Sequence, residues 1–500
     1  MNYPIPIPTL GWNARDPFSN MDPRYAIQLK NILPDETTAT SRKGYEELST
    51  GLGGSVETLA TYKGESGSDE LLAFADSKIY AIDTSTGTAT EKRDNVTHNN
   101  RFRTLNINNL LVMVNGESVP ATYDGTNVAN LTITAVGLTA ADLNGVMSFK
   151  SRAYYWIENE NAFWYCGPGA HTGAVTKFPL NYVASGGGVT EIVTWTRDSG
   201  SGMDDLFVIL MNTGEALVYQ GSDPSSASTW SIIGKFTLAQ PISIRGSCNL
   251  GSDRVIITKD GYTNLSTALT QARLTTKNNV GDNIVNDVRK QIELTSDNFG
   301  WDIQFLPSQS LLLVNVPISD NVTHQHVMNT NTGAWSKLQN MNGISWIEHA
   351  NQPYFGTADG KVMKAFSGYS DNGRPIKTKI IPAFNALGDP SRKKTPTICT
   401  VITDHLYPNY ISVDTHQDFN IKISPTLPLP PENAGALWGA GLWGTFGWGQ
   451  NNQQILEGVK PYKYHVVSNG FYITVKIRQQ SKTQQTKYYS INLKFKGGKA

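Results

Sequence analysis

An all-β fold is what this sequence predicts, and three observations predict it. Charged residues make up 17% of the 500, while glycine numbers 45 and aromatic residues reach 10%, the profile of a turn-rich chain of uncharged polar groups. Long amphipathic helices are nearly absent; the best short candidates are Thr139 to Asn144 and Tyr25 to Ile32. Short apolar strands followed by a Gly/Asn/Asp turn and a second strand recur along most of the chain.

The recurring units begin at Leu71, Leu110, Arg152, Leu206, Arg254, Leu311 and Pro353, so successive steps are 39, 42, 54, 48, 57 and 42 residues. Four-stranded propeller blades need roughly 40–50 residues each, and the longer steps leave room for loops. Asn115-Gly116, Asp260-Gly261 and Asp359-Gly360 supply the positive φ of tight hairpins, and Asn212-Thr213-Gly214 is a longer version. Lys78 to Ile82 alternates as a half-buried strand does. The expectation is a β-propeller of six to eight blades; a pair of β-sandwiches with irregular hairpins shares the local signals and is the alternative.

Three segments follow. Residues 1–60 read as an extended, Pro-punctuated N-terminal arm, 61–373 as the propeller, and 374–500 as a C-terminal basic β-domain with strands near 397–402, 410–413, 463–467, 471–477 and 488–495. The N-terminus lacks a basic region followed by a continuous apolar run, so no signal peptide is expected, and no apolar run approaches the ~20 residues that span a bilayer. Three distant cysteines, Cys166, Cys248 and Cys399, make neither a disulfide framework nor a paired-ligand zinc site.

The charge balance is 42 basic against 42 acidic residues, but it is uneven along the chain. From Arg374 onward there are 16 Lys/Arg and 6 Asp/Glu, net +10, which leaves net −10 for the first 373 residues. Arg392, Lys393 and Lys394, with Lys494, Lys496 and Lys499, are candidate docking residues for an acidic partner or DNA phosphate; equally, lysine protects edge strands from pairing.

No catalytic constellation emerges. Gly51-Leu52-Gly53-Gly54 lacks the helix and GK[ST] ending of a phosphate cradle and reads as a turn. His324-Gln325-His326 puts two imidazoles on one strand face without a third ligand, and Asp198 with Asp204-Asp205 lacks the spacing of a calcium loop. An enzyme, a metal and a cofactor are therefore not expected. The sharpest local feature is Trp438, Trp443 and Trp448, five residues apart and each followed by glycine. Five matches neither a helical nor a strand face, so the indoles sit on turns, and pack on their own domain, on a neighbouring subunit, or as a carbohydrate or base-stacking platform.

The opening Gly11-Trp12-Asn13-Ala14-Arg15-Asp16-Pro17, then Leu29 to Pro34, Ser41-Arg42-Lys43-Gly44-Tyr45 and Gly51 to Gly54, resemble the start of structural proteins of tailed phages and prophages. Ala386-Leu387-Gly388-Asp389 and the Trp-Gly segment match the same group, and the order of arm, propeller and C-terminal β-domain is similar to the tail-nozzle, or packaged-DNA-stabilisation, proteins of short-tailed, podovirus-like bacteriophages. The resemblance implies a homo-hexameric ring below the portal and its adaptor, retaining packaged DNA and conducting it during ejection. It also implies tail fibres or tailspikes and a distal needle or plug as partners, double-stranded DNA passing non-specifically, and a place in the virion tail after assembly in the host cytoplasm. Trp12, Arg15, Trp438, Trp443, Trp448, Arg392, Lys393 and Lys394 are the expected intersubunit or docking contacts. The alternative function is a glycan- or receptor-binding propeller of a tail fibre or adhesin; an extracellular propeller hydrolase is a third, disfavoured by the missing signal peptide and the missing catalytic pairs.

Overall fold

A computed structural model describes residues 1–96, 99–198, 203–270, 279–404, 411–422 and 458–497. Two compact units emerge. One comprises residues 47–326 and 340–365; the other gathers residues 1–46, 327–339 and 366–500. The N-terminal arm is thus part of the same unit as the C-terminal domain, where the sequence suggested three consecutive segments. The reason is strand pairing: Asn2–Ile5 runs antiparallel to Lys487–Gly497, and Tyr25–Lys30 to Arg374–Pro382. Tyr25 to Ile32 is therefore strand rather than helix, because its partners lie far away in sequence. Of the other helix candidate, only the 3₁₀ turn Ala140–Asp142 forms.

The first unit is a seven-bladed propeller among the described residues. Blade one is Thr58–Tyr62, Glu70–Ala75, Lys78–Ile82 and Ala89–Arg93; blade two is Arg103–Ile107, Leu110–Val114, Ala121–Tyr123 and Val128–Asn130. Blade three is Gly145–Phe149, Arg152–Trp156, Ala162–Tyr165 and Thr176–Pro179; blade four is Val189–Asp198, Met203–Met211, Glu215–Gly221 and Trp230–Thr237. Blade five keeps three strands, Ser247–Leu250, Asp253–Thr258 and Gly261–Asn264, and then runs into the helix Leu265–Thr270. Blade six starts with Asp302–Leu306, Leu311–Ser319 and Val322–Asn329, blade seven with Ser345–His349, Gln352–Gly356 and Val362–Ala365. The strand Tyr45–Ser49 lies beside Val362–Ala365, so chain from the start of the unit completes the last blade. All seven hairpin units read from the sequence coincide with second strands.

Those second strands are buried nearly throughout, as in Phe207 to Met211, because each blade is covered on both faces by its neighbours. Phe74, Ile79, Phe102, Met113 and Tyr123 fill the space between blades one and two, and Tyr154, Phe163, Phe207 and Trp230 that between three and four. Leu71, Ala73, Tyr354 and Val362 join blade seven to blade one and close the ring. Tight turns carry non-glycine residues at positive φ, including Asp76-Ser77, Asn108-Asn109, Lys150-Ser151 and Ala350-Asn351, the two-residue geometry that suits strand twist. A helix that the sequence reading missed, Val285–Thr295, buries Val285, Val288, Ile292 and Thr295 at helical spacing.

The second unit, the platform, is a sandwich of two sheets. One contains Lys460–His465, Lys394–Thr403, Lys487–Gly497, Ala39–Ser41 and Ile32–Pro34 in that order. The other includes Tyr25–Lys30, Arg374–Pro382, Ile473–Ser481 and Ile411–Gln417, with Trp335–Gln339 beside Tyr25–Lys30 at Lys30. The core holds Val401, Ile491, Leu493 and Tyr488 from the first sheet and Ile376, Ile380, Val475 and Ile477 from the second. Arg42, 1% exposed, ties the unit together. Its Nε donates to Asn31 Oδ1 at 3.0 Å, Nη1 to Lys43 O at 2.9 Å, and Nη2 to Gln339 O at 3.0 Å. Both Nη atoms also donate to Asp371 at 2.7 Å.

Candidate functional site

The compact units inherit the charge asymmetry of the sequence. The platform's segments hold 22 Lys/Arg and 12 Asp/Glu, and the propeller's hold 20 and 30, so the two are net +10 and −10. Part of the platform's excess is organised by strand register. Lys337 pairs with Lys30, Lys30 with Lys379, and Lys379 with Arg478, which puts four cations in one row across four strands. Neighbouring strands are ~4.8 Å apart, so the row spans about 14 Å on one face. Like charges directly opposite each other in a sheet repel, so the arrangement costs stability and calls for a functional reason. Arg478 donates to Ser412 Oγ at 3.1 Å and lies 3.5 Å from Asp414 Oδ2.

Burial, then the charges of Lys476, Lys30 and Arg478, push the Lys379 amine down to about 8. The sign of its effect on stability follows from proton binding. Between about 8 and the ordinary 10.5, the unfolded chain holds a proton that the folded one has shed, so stability rises with pH across that window; below about 8 the repulsion is fully present. Solvent screening of a half-exposed amine reduces the effect to roughly 1 kcal/mol. Urea unfolding of the platform is expected at higher denaturant at pH 9.5 than at pH 7.5, and Lys379→Met should raise the pH 7.5 midpoint and remove this increment. An unchanged difference between the two pH values in the variant would refute the assignment.

Of the residues singled out in the sequence, Arg392 and Lys393 are exposed, the former 3.4 Å from Asp389 and the latter over the Phe471 ring at 5.5 Å. Lys394 is 2% exposed, with Nζ donating to the carbonyls of Asp389 and Phe471, so it braces its own unit and presents no docking charge. Trp12 is likewise buried, with Lys337 Nζ 4.9 Å from its ring. Arg15 pairs with Asp16 at 2.8 Å in a turn whose backbone N–H groups are accepted by Asn13 Oδ1. Trp438, Trp443, Trp448 and Lys499 lie outside the described residues. Lys494 and Lys496 are exposed and alternate with buried Leu493 and Phe495, on the outer face of their strand.

In the propeller, His326 is buried, its Nδ1 2.9 Å from Tyr262 Oη and its Nε2 3.4 Å from Asp287. Asp205 accepts from Thr196 Oγ1 at 2.8 Å; the side chains of Asp198 and Asp204 are outside the described set. Gly51 and Gly53 adopt positive φ in a turn. Among the described residues no three His, Cys, Asp or Glu side chains gather as a metal would require, and no helix is long and apolar enough to cross a membrane.

The feature that sequence reasoning missed is at the propeller axis. Inner strands of a propeller run in one direction, so Thr58, Arg103, Val189, Ser247 and Asp302, which begin five of them, mark one rim. The segment leading into blade five crosses this rim. Arg245 Nη1 donates to Glu57 O at 2.7 Å and Nη2 to Phe102 O at 3.3 Å, reaching blades one and two, while Arg245 O accepts from Ile303 N in blade six at 3.3 Å. From the far side, Arg103 Nη2 donates to Ile244 O at 2.8 Å and Thr190 O at 3.0 Å, its guanidinium 5.0 Å from the Trp156 ring centre. Ser247 Oγ donates to Glu191 at 2.8 Å, and burial pushes the Glu191 and Asp302 carboxyls up against the pull of Arg254, Arg103 and Arg245. Ile244 and Arg245 therefore close the axis at this end.

Comparisons with known proteins return fold likeness only. No protein-family model matches, and no curated protein matches. Among solved structures, the WD40 β-propeller domain of Doa1 is 10% identical, with a TM-score of 0.39 over 64% of this chain and 96% of that one. YCF48 from Cyanidioschyzon merolae is 9% identical, with a TM-score of 0.40 over 64% of this chain and 98% of that one. The computationally designed Ika8 protein is 12% identical, with a TM-score of 0.38 over 64% of this chain and its own full length.

Proposed function

We propose that this chain is a structural subunit of a phage tail nozzle, without catalytic activity, in which the basic platform docks on an acidic ring and several acidic propellers border a DNA path. The coincidence of the charge division with the compact units carries this reading: +10 and −10 are assigned to separate bodies instead of being mixed over one surface. A cationic row suits docking on a fixed carboxylate-bearing surface, whereas a negative wall repels phosphate and lets DNA slide. Closure of the propeller axis by Arg245 means that, in this reading, the path runs between copies and not through any one propeller.

The test is stoichiometry and salt dependence. Purified full-length protein should form six-membered rings by native mass spectrometry, and its capture by isolated portal–adaptor complexes should fall steeply between 50 and 500 mM salt. A persistent monomer that binds glycans and ignores adaptor rings would replace this reading with the receptor-binding one.

A further inference from the structure

The platform's row of Lys337, Lys30, Lys379 and Arg478 has a spacing as well as a charge, and the spacing narrows what it can meet. All four side chains are partly exposed. Strand alternation puts exposed Lys377 on the same face as Lys379, and Lys476 on that of Arg478. The five strands concerned are Trp335–Gln339, Tyr25–Lys30, Arg374–Pro382, Ile473–Ser481 and Ile411–Gln417. They carry one carboxylate between them, Asp414, 3.5 Å from Arg478 Nη2. The sheet itself thus supplies a single negative charge against the row's four positive ones.

Neighbouring cations are ~4.8 Å apart along a line that crosses the strands. An extended partner chain on that line presents same-face side chains ~6.8 Å apart, so its second acid falls between two cations and three acids face four charges. An α-helix rises ~1.5 Å per residue, so carboxylates at i, i+3, i+7 and i+10 follow one another on one face at about 4.5, 6.0 and 4.5 Å. Each then lies within about 1 Å of a cation along the row, and the stripe spans about 15 Å against about 14 Å. We infer that the row is a docking track for an α-helix of a partner protein that bears carboxylates at i, i+3, i+7 and i+10. In the nozzle reading, on which this track rests, the helix belongs to the acidic ring that the platform meets. Lys379 supplies a signature. A carboxylate beside it favours the charged amine, so docking at pH 8.5, where an amine held at about 8 is about three-quarters neutral, draws a proton onto it.

The experiment uses full-length protein at low salt with three probes. One is an alanine-based helical peptide with glutamates at i, i+3, i+7 and i+10, one a peptide of equal composition with its glutamates spread around the helix, and one a DNA duplex. The striped peptide should bind at least tenfold tighter than the spread one. Lys30→Gln combined with Lys379→Gln, which relieves repulsion between opposed cations, should remove most of that advantage. Calorimetry at pH 8.5 in two buffers of different ionisation heat should show proton uptake with the wild type and none with Lys379→Gln. Equal affinity for the two peptides, including none for either, or binding without proton uptake, overturns the helix track. A duplex that binds tighter than the striped peptide, and is lost in the Lys30/Lys379 variant, assigns the row to phosphate and overturns it as well. Six-membered rings captured by adaptor complexes, without preference for the striped peptide, would remove the helix and keep the nozzle; the converse would keep the helix and remove the nozzle.

Discussion

Arg42→Ala is expected to disrupt the platform, at a cost of about 3–5 kcal/mol, because it removes one member of a buried ion pair and strands the other. Arg42 and Asp371 have side chains 0% and 3% exposed, so the Asp371 carboxylate would be left desolvated without a counter-charge. The carbonyls of Lys43 and Gln339 and the amide oxygen of Asn31 would lose a donor as well. These partners come from all three segments that make the unit, so the lesion is spread over the chain although the substitution is single. Hydrogen exchange should show lost protection in residues 1–46, 327–339 and 366–382 while blades one to four stay protected. The double variant Arg42→Met/Asp371→Leu should regain most of the loss, since two apolar side chains of similar bulk carry no desolvation cost. Wild-type exchange in Arg42→Ala would show that the pair contributes little.

Arg245→Ala should destabilise the propeller by about 2–4 kcal/mol, the cost of leaving partly buried carbonyls without their charged donor. The carbonyls concerned, those of Glu57 and Phe102, belong to different blades, so the side chain acts as a spoke across the ring. Exchange at the amides of Phe102 and Ile303 should accelerate more than exchange in the outer strands. Arg101→Ala is the control: its ion pair with Glu57, at 3.2 Å and 45% exposed on the arginine side, should contribute under ~1 kcal/mol. Equal effects from both substitutions would argue against a special role for the axial crossing.

The blades were legible because their second strands are continuous apolar runs bounded by turn residues, and that signal is local. What escaped is set by register between distant segments. Lys30, Lys337, Lys379 and Arg478 look unrelated in sequence and become one row only when three strand pairings are fixed. Tyr25 to Ile32 fits a helical spacing, yet forms a strand because Arg374–Pro382 takes its edge. Lys394 sits in a basic triplet that looks solvent-facing, but strand alternation turns it inward beside exposed Lys393. Arg103 and Arg245 were isolated arginines with no motif around them.

The pairing of early with late chain also sets when this protein can fold. Glu47 to Ser49 waits beside an empty position until Val362–Ala365 has been made, and Asn2 cannot meet Lys494 until residue 494 has been made. At 5–20 residues per second, the roughly 300 residues separating Ser49 from Val362 take about 15–60 s to translate, during which the growing blades have unprotected strand edges. The ring cannot close before residue 365 has been made, nor the platform before residues 487–497. Translation itself therefore holds back any association between copies that depends on their finished surfaces.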